Sequence, residues 1–281
     1  MLVTLKNILK IAEAEKCAVG SFNTPNFESI QAVIGAAEEL NCPVITVIIM
    51  HAQIHEEMGL CRMSEIVTVM LFIADKASVP VCVHLDHGTD LDYISKGLKL
   101  GFTSVMYDGS ELDDKVSFAN TSIAVEAAKR YGASVEAEIG SMGARESGEK
   151  GETDESIYTD PKAAKKIAEE TGIDALACAF GTAHGIYLKQ PKLDFERLDK
   201  INKLTDIPLV MHGGSGVSAE DYKKVIKLGI RKINYYTYMS KAGGEAISGK
   251  QYAQFHDAAA DAAKAMADNA KKAIEIFSGN I

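Results

Sequence analysis

Val81-Cys-Val-His-Leu-Asp86-His87-Gly88 opens as an apolar, β-branched run and closes on polar side chains and a glycine. That order predicts a buried strand whose last residues emerge into a site. Asp86 and His87 are neighbours, so a fully extended strand would send them to opposite faces. Where the chain turns at Gly88, both can instead reach one cavity. A carboxylate beside an imidazole serves either a metal site with a proton-transfer group or a salt-linked structural pair. The stretch alone leaves both readings open.

Working outward, similar apolar runs occur at 17–22, 43–50, 104–107, 134–139, 175–179, 208–211 and 232–236. Amphipathic stretches at 27–40, 64–77, 91–100, 114–131, 161–170, 195–204 and 219–228 separate them, and an Ala-rich helix over 251–277 closes the chain. Within 134–139, Val135, Ala137 and Ile139 alternate with polar residues, the period of a strand. Eight β/α units in 281 residues predict an α/β fold, a (β/α)8 TIM barrel formed as a single domain over 1–281, with an extra long C-terminal helix. An open doubly wound sheet is the alternative. The irregular segment 141–158, rich in Gly, Glu and Ser, follows the fifth strand and is read as a lid.

Composition narrows the function. A formal net charge of −9 with no dense Lys/Arg stripe argues against a nucleic-acid surface. The five cysteines are scattered without metal-type spacing, which predicts buried free thiols in a reducing compartment. No signal-peptide pattern follows Met1, and no apolar stretch is long enough to span a bilayer. The expectation is a cytoplasmic protein acting on a small molecule, with neither nucleic acid nor membrane as partner.

A barrel keeps its active site at the C-terminal ends of its strands. Here those ends carry Asp86-His87, Asp108, Glu136 and Glu138, His184, His212 and Asn234–Thr237. His87, His184 and His212 are each followed by glycine. Three imidazoles from three strands match a catalytic zinc site with one position open to substrate. Taken singly, each would be read as a hydrogen-bonded core histidine. His84 is read as facing the barrel interior or supporting the site, His51 and His55 as lining the mouth, and His256 as a surface residue. His212-Gly-Gly-Ser215-Gly precedes a helix, where backbone N–H groups favour an anion. A Lewis acid beside a phosphate grip, with Asp86 moving a hydroxyl proton and a lid carboxylate moving a carbon-bound proton, describes reversible carbon–carbon cleavage of a phosphorylated ketose.

The chain resembles the class II, zinc-dependent fructose-bisphosphate and tagatose-bisphosphate aldolases over nearly its whole length. The residues that carry the likeness are Ala18-Val-Gly-Ser-Phe-Asn23, His84-Leu-Asp-His-Gly88, Ser104-Val-Met-Tyr-Asp-Gly-Ser110, Val135-Glu-Ala-Glu-Ile-Gly140, Thr171-Gly-Ile-Asp-Ala-Leu-Ala177, Gly181-Thr-Ala-His-Gly185 and His212-Gly-Gly-Ser-Gly216. The resemblance implies one catalytic Zn2+ per chain on His87, His184 and His212, with Asp108 and Glu138 holding a displaced or second ion. It implies Asp86 as the acid/base at the substrate hydroxyl and Glu146 on the lid for the carbon-bound proton, with Glu149 or Glu152 as fallback. Asn23, Gly185, Gly213, Gly214, Ser215, Asn234, Tyr235, Tyr236 and Thr237 are the implied substrate contacts, with a monovalent cation near the phosphate in some members. A homodimer or homotetramer is implied as well.

Three departures bear on the sugar. Asn234-Tyr-Tyr-Thr237 replaces a smaller loop, Leu188 stands where relatives carry lysine (Lys189 is one later), and Met50-His51-Ala-Gln-Ile-His55-Glu-Glu57 replaces small polar residues. The expected function is therefore cleavage of a ketose 1-phosphate or 1,6-bisphosphate to dihydroxyacetone phosphate and an aldehyde such as glyceraldehyde 3-phosphate. The alternatives are the same chemistry on another phosphorylated sugar or sugar acid, a metal-dependent hydrolase, or a non-catalytic sugar-phosphate-binding subunit.

Overall fold

The computed structural model describes residues 1–49, 62–140, 158–185, 187 and 190–279. The chain opens with β1 (Leu2–Val3) and α1 (Leu5–Glu15), neither of which the apolar runs predict. Eight further strands follow: β2 (Val19–Asn23), β3 (Val44–Ile49), β4 (Val81–Gly88), β5 (Ser104–Asp108), β6 (Ser134–Ile139), β7 (Ala175–Cys178), β8 (Leu209–Met211) and β9 (Ile230–Tyr235). They pair in parallel in the order β4-β3-β2-β9-β8-β7-β6-β5, and a β4–β5 pairing closes the ring. The fold is the expected (β/α)8 barrel rather than an open sheet, and β1 adds to β4 at its start.

Helices α2 (Phe27–Glu39), α3 (Met63–Lys76), α4 (Leu91–Leu100), α5 (Asp114–Tyr131), α6 (Pro161–Thr171), α7 (Phe195–Leu204) and α8 (Ala219–Lys227) fall between the strands. Their apolar stripes and the outward strand residues form the main core, in which Val135 and Ala137 are buried against the helices. The intervening strand positions must then face the barrel interior.

That interior is apolar at one end. Leu5, Ile8, Leu9 and Ala12 of α1, spaced as one helical face, join Val19, Ile45, Cys82, Ala175 and Val210 in a separate buried cluster. These strand residues lie at or near the strand starts, so α1 plugs the N-terminal end of the barrel. Thr4 caps the plug by accepting from the Asn7 N–H.

A second helix was also not expected. α9 (Thr237–Ile247) begins directly after β9, and α10 (Phe255–Ser278) starts later than the predicted 251. Gly243 and Gly244 mask α9 in the sequence, because glycine is a poor helix former. Gly243 is needed for packing: a Cβ there would sit 2.9 Å from Met266 Cγ of α10. His256, at the start of α10, is exposed as expected. Cys17, Cys42, Cys82 and Cys178 are buried and form no disulfide, and Cys61 lies outside the described residues. Among the described residues no helix is long and apolar enough to cross a membrane.

Candidate active site and metal centre

At the end of β4, His87 adopts a left-handed backbone with φ 51°, and the β4–β5 register shifts between Leu85 and Gly88. This bulge turns two neighbouring side chains into one cavity, resolving the conflict that strict alternation poses for Asp86 and His87. Gly88 is required beside it, since a Cβ would lie 2.9 Å from the Met106 carbonyl oxygen.

Three histidine rings meet above the bulge. Their centroids lie 4.6 Å apart for His87–His212, 5.1 Å for His87–His184 and 6.0 Å for His184–His212. One ring nitrogen from each lies within 4.8 Å of the others. His87 holds Asp108 through Nδ1 at 2.8 Å, and Asp108 is itself fixed by the Ser110 N–H and hydroxyl. His212 holds Glu136 through Nε2 at 2.9 Å. The opposite nitrogens, His87 Nε2 and His212 Nδ1, are enclosed and have no hydrogen-bond partner. A buried polar atom left in this way is costly, whereas an imidazole held by a carboxylate on one side and open on the other is the arrangement of a metal ligand. Glu138 Oε2 also lacks a hydrogen bond and lies 3.3 Å from His212 Nδ1 and 3.8 Å from His87 Nδ1. His87, Asp108 and Glu138 thus form a second group able to hold an ion.

The electrostatics favour a cation at this point. Burial, together with the charges of His87 and His212, lowers His184 to about 3, so it is a neutral donor at ordinary pH. Burial opposes a charge on His212 too, but Asp86, Glu136 and Glu138 outweigh it and raise His212 to about 10. The surrounding carboxylates favour positive charge here, on His212 itself or on a bound cation. Burial would raise Asp108, but the hydrogen bond from His87 holds it down to about 2.

Beneath the rings lies a buried polar layer. Asp86 is wholly buried and accepts from Asn234 Nδ2 at 2.9 Å, with His84 Nε2 at 3.2 Å and Lys232 Nζ at 3.9 Å. Burial works against its charge, but Lys232 and the nearby histidines keep its carboxyl well below the usual range. His84 also bonds Ser104 through Nδ1 at 2.8 Å, so it both faces the interior and supports Asp86. Glu136 and Lys232 complete the layer, and the motifs above give neither a role. Period-two alternation was the available signal: Glu136 shares a strand face with Glu138, and Lys232 with Asn234.

The expected phosphate-side loops are tied together. The Gly214 N–H donates to the Asn234 carbonyl at 3.0 Å, and the Tyr236 N–H to Ser215 Oγ at 2.9 Å. Gly213 sits at φ 61°, where a Cβ would lie 2.4 Å from the Ala183 carbonyl. Tyr187 clasps the same two loops: its hydroxyl accepts from the Ala183 N–H at 2.7 Å and donates to the Gly213 carbonyl at 2.8 Å. Gly185 faces open space and Thr237 opens α9. Asn23 ends β2, two residues after Ser21, the β9 register partner of Asn234.

Tyr235 is not brought to this cavity by its side chain. Its ring packs on Phe22 at 5.8 Å and Phe277 at 6.1 Å, because alternation turns it outward when Asn234 points in. Glu146, Glu149, Glu152, Met50, His51, His55, Glu57, Leu188 and Lys189 lie outside the described residues.

The barrel and the three converging histidines are the arrangement expected of a carbon–carbon lyase of aldolase type. The family model described as "Fructose-bisphosphate aldolase class-II" matches residues 3–280, and the chain belongs to that family. A Bacillus subtilis (strain 168) protein named as a probable fructose-bisphosphate aldolase is 40% identical over 246 residues, 88% of this chain and 85% of that protein. The crystal structure of the YdjI aldolase from Escherichia coli K12 superposes with a TM-score of 0.87 at 33% identity, covering 99% of this chain and 97% of the other. The fructose-bisphosphate aldolase of Campylobacter jejuni shares the fold, with a TM-score of 0.81 at 22% identity over 98% and 95% of the two chains.

Proposed function

We propose that this aldolase carries out zinc-dependent, reversible cleavage of a ketose 1-phosphate or 1,6-bisphosphate of the fructose or tagatose type. The products are dihydroxyacetone phosphate and an aldehyde such as glyceraldehyde 3-phosphate. The observation that carries the proposal is the convergence of His87, His184 and His212, with one ring nitrogen of each close to the others and with His87 Nε2 and His212 Nδ1 enclosed but not hydrogen-bonded. These three would hold the ion, with Asp108 and Glu138 holding a displaced or second one. When bound, the ion acts as a Lewis acid on the substrate ketone.

The chain's own residues do the rest. Asp86 takes the hydroxyl proton from the carbon that becomes the aldehyde, as the carbon–carbon bond breaks and its electron pair stays on the triose-phosphate fragment. Asn234 and His84 aim the Asp86 oxygens for that transfer. Glu146 is assigned the proton that returns to carbon. Gly185, Gly213, Gly214 and Ser215, with the backbone of Asn234, Tyr235, Tyr236 and Thr237, grip the phosphate next to the start of α9; a monovalent cation is placed beside it. Asn23 contacts the sugar from β2.

A panel of ketose mono- and bisphosphates, assayed for triose phosphate release with and without zinc, tests this reading. Release that needs the metal supports it. Release that persists in EDTA and is abolished by borohydride would instead mean a lysine imine. The enclosed interior lysine does not suit that role, since Lys232 is wholly buried between Glu136 and Asp86. We place the enzyme in the cytoplasm, in glycolytic-type carbohydrate metabolism, as a homodimer or homotetramer. The buried thiols, which form no disulfide, support the compartment, and sedimentation equilibrium checks the assembly.

A further inference from the structure

His84, Asp86 and Glu136 could by themselves hold an ion, since one donor atom from each lies within 4.8 Å of the others. The structure already puts a cation there. Lys232 Nζ lies 2.8 Å from Glu136 Oε2, 3.1 Å from Glu136 Oε1 and 3.9 Å from Asp86 Oδ1. All four residues are wholly buried. A paired ammonium and carboxylate in such a place bring no reliable stability, because desolvation offsets their attraction. The pair therefore asks for another explanation, and its contacts provide one.

Glu136 is shared. The carboxylate that meets Lys232 also meets His212 Nε2 at 2.9 Å. A carboxylate there accepts a hydrogen bond from the Nε2–H and fixes the tautomer, which leaves the lone pair on Nδ1. His212 Nδ1 is one of the two enclosed nitrogens without a hydrogen bond, with Glu138 Oε2 3.3 Å away, and it would face the proposed ion. The chain of contacts thus runs from β9 through β6 to His212, directly after β8.

We infer that Lys232 is a positioning residue: its ammonium pins the Glu136 carboxylate against His212 Nε2 and so commits His212 Nδ1 to the metal. Removing Lys232 frees Glu136 to turn away from His212 Nε2, and the ring loses the contact that orients it. Lys232 touches neither substrate nor ion in this scheme. The inference rests on the proposed three-histidine metal site.

The test is zinc affinity, measured by chelator competition on the full chain for wild type, Lys232→Met, Glu136→Gln and the double variant Lys232→Met/Glu136→Gln. The expected loss is about 10–100-fold for each single variant, with the double variant no weaker than the worse single, because the two act through one contact. Lys232→Met binding zinc as tightly as wild type overturns the inference while leaving the metal site standing. Wild type that binds no zinc, or His212→Ala that binds it unchanged, overturns the metal site and the inference together. Should Lys232→Met fail to fold, Lys232→Gln, which keeps a polar end without the charge, takes its place and is read in the same way. The ¹⁵N spectrum of the zinc-loaded protein should show His212 protonated at Nε2 and metal-bound at Nδ1. An Nε2-bound His212 overturns the inference.

Discussion

The two ends of the barrel interior are made from the same strands and have opposite characters. On β4, Cys82 belongs to the apolar plug under α1, whereas His84 and Asp86, two and four residues further on, belong to the polar layer. On β2 the step is from Val19 to Ser21 and then Asn23. Inward-facing positions recur every second residue, so each strand climbs from core to chemistry within a few residues. Stability and reactivity are thereby separated along one axis: the lower end is closed by a helix of leucine and isoleucine, and the upper end is left to histidines and carboxylates.

The sharpest way to break this comparison is at its top. Asp86→Ala should lower turnover by about 10²–10⁴-fold, the usual share of proton transfer, while zinc stoichiometry stays at the wild-type value; steady-state kinetics with metal analysis would show it, and undiminished turnover would remove Asp86 from the reaction. Next comes the bottom. Ile8→Ala opens a cavity among wholly buried neighbours and should cost roughly 2–5 kcal/mol in denaturant unfolding. Turnover in mild conditions should not change, and a matching loss of activity would mean that the two ends are not separable.

A smaller effect is expected at the clasp between the upper loops. Tyr187→Phe deletes a hydroxyl that joins the His184 loop to the His212 loop and should cost about 1 kcal/mol of stability, with a modest fall in zinc affinity read by the same chelator competition. If affinity is untouched, the loops hold their places without it.

The sequence made one half of this comparison far more legible than the other. Eight apolar runs and their helices were visible because the burial period of each element is local. The three histidines were visible because each ends a strand and precedes glycine. The contact between Lys232 and Glu136 was not, because alternation places each side chain on a strand face but does not say which side chain of another strand it meets. The bulge at His87 depends on the β4–β5 register, a long-range fact that no window of sequence contains. α1 carries its stripe at Leu5, Ile8, Leu9 and Ala12 openly, yet only barrel closure shows what that stripe covers. α9 was hidden by glycines kept for contact with α10.

The central claim is that residues on β4, on the loop after β7 and at the end of β8 share one ion. Anomalous diffraction at the zinc edge, from crystals grown with zinc, tests this directly. The account predicts a single strong peak bonded to His87 Nε2, His212 Nδ1 and a ring nitrogen of His184. Density that places these rings too far apart to share an ion, or a zinc bound elsewhere with all three unoccupied, would contradict it.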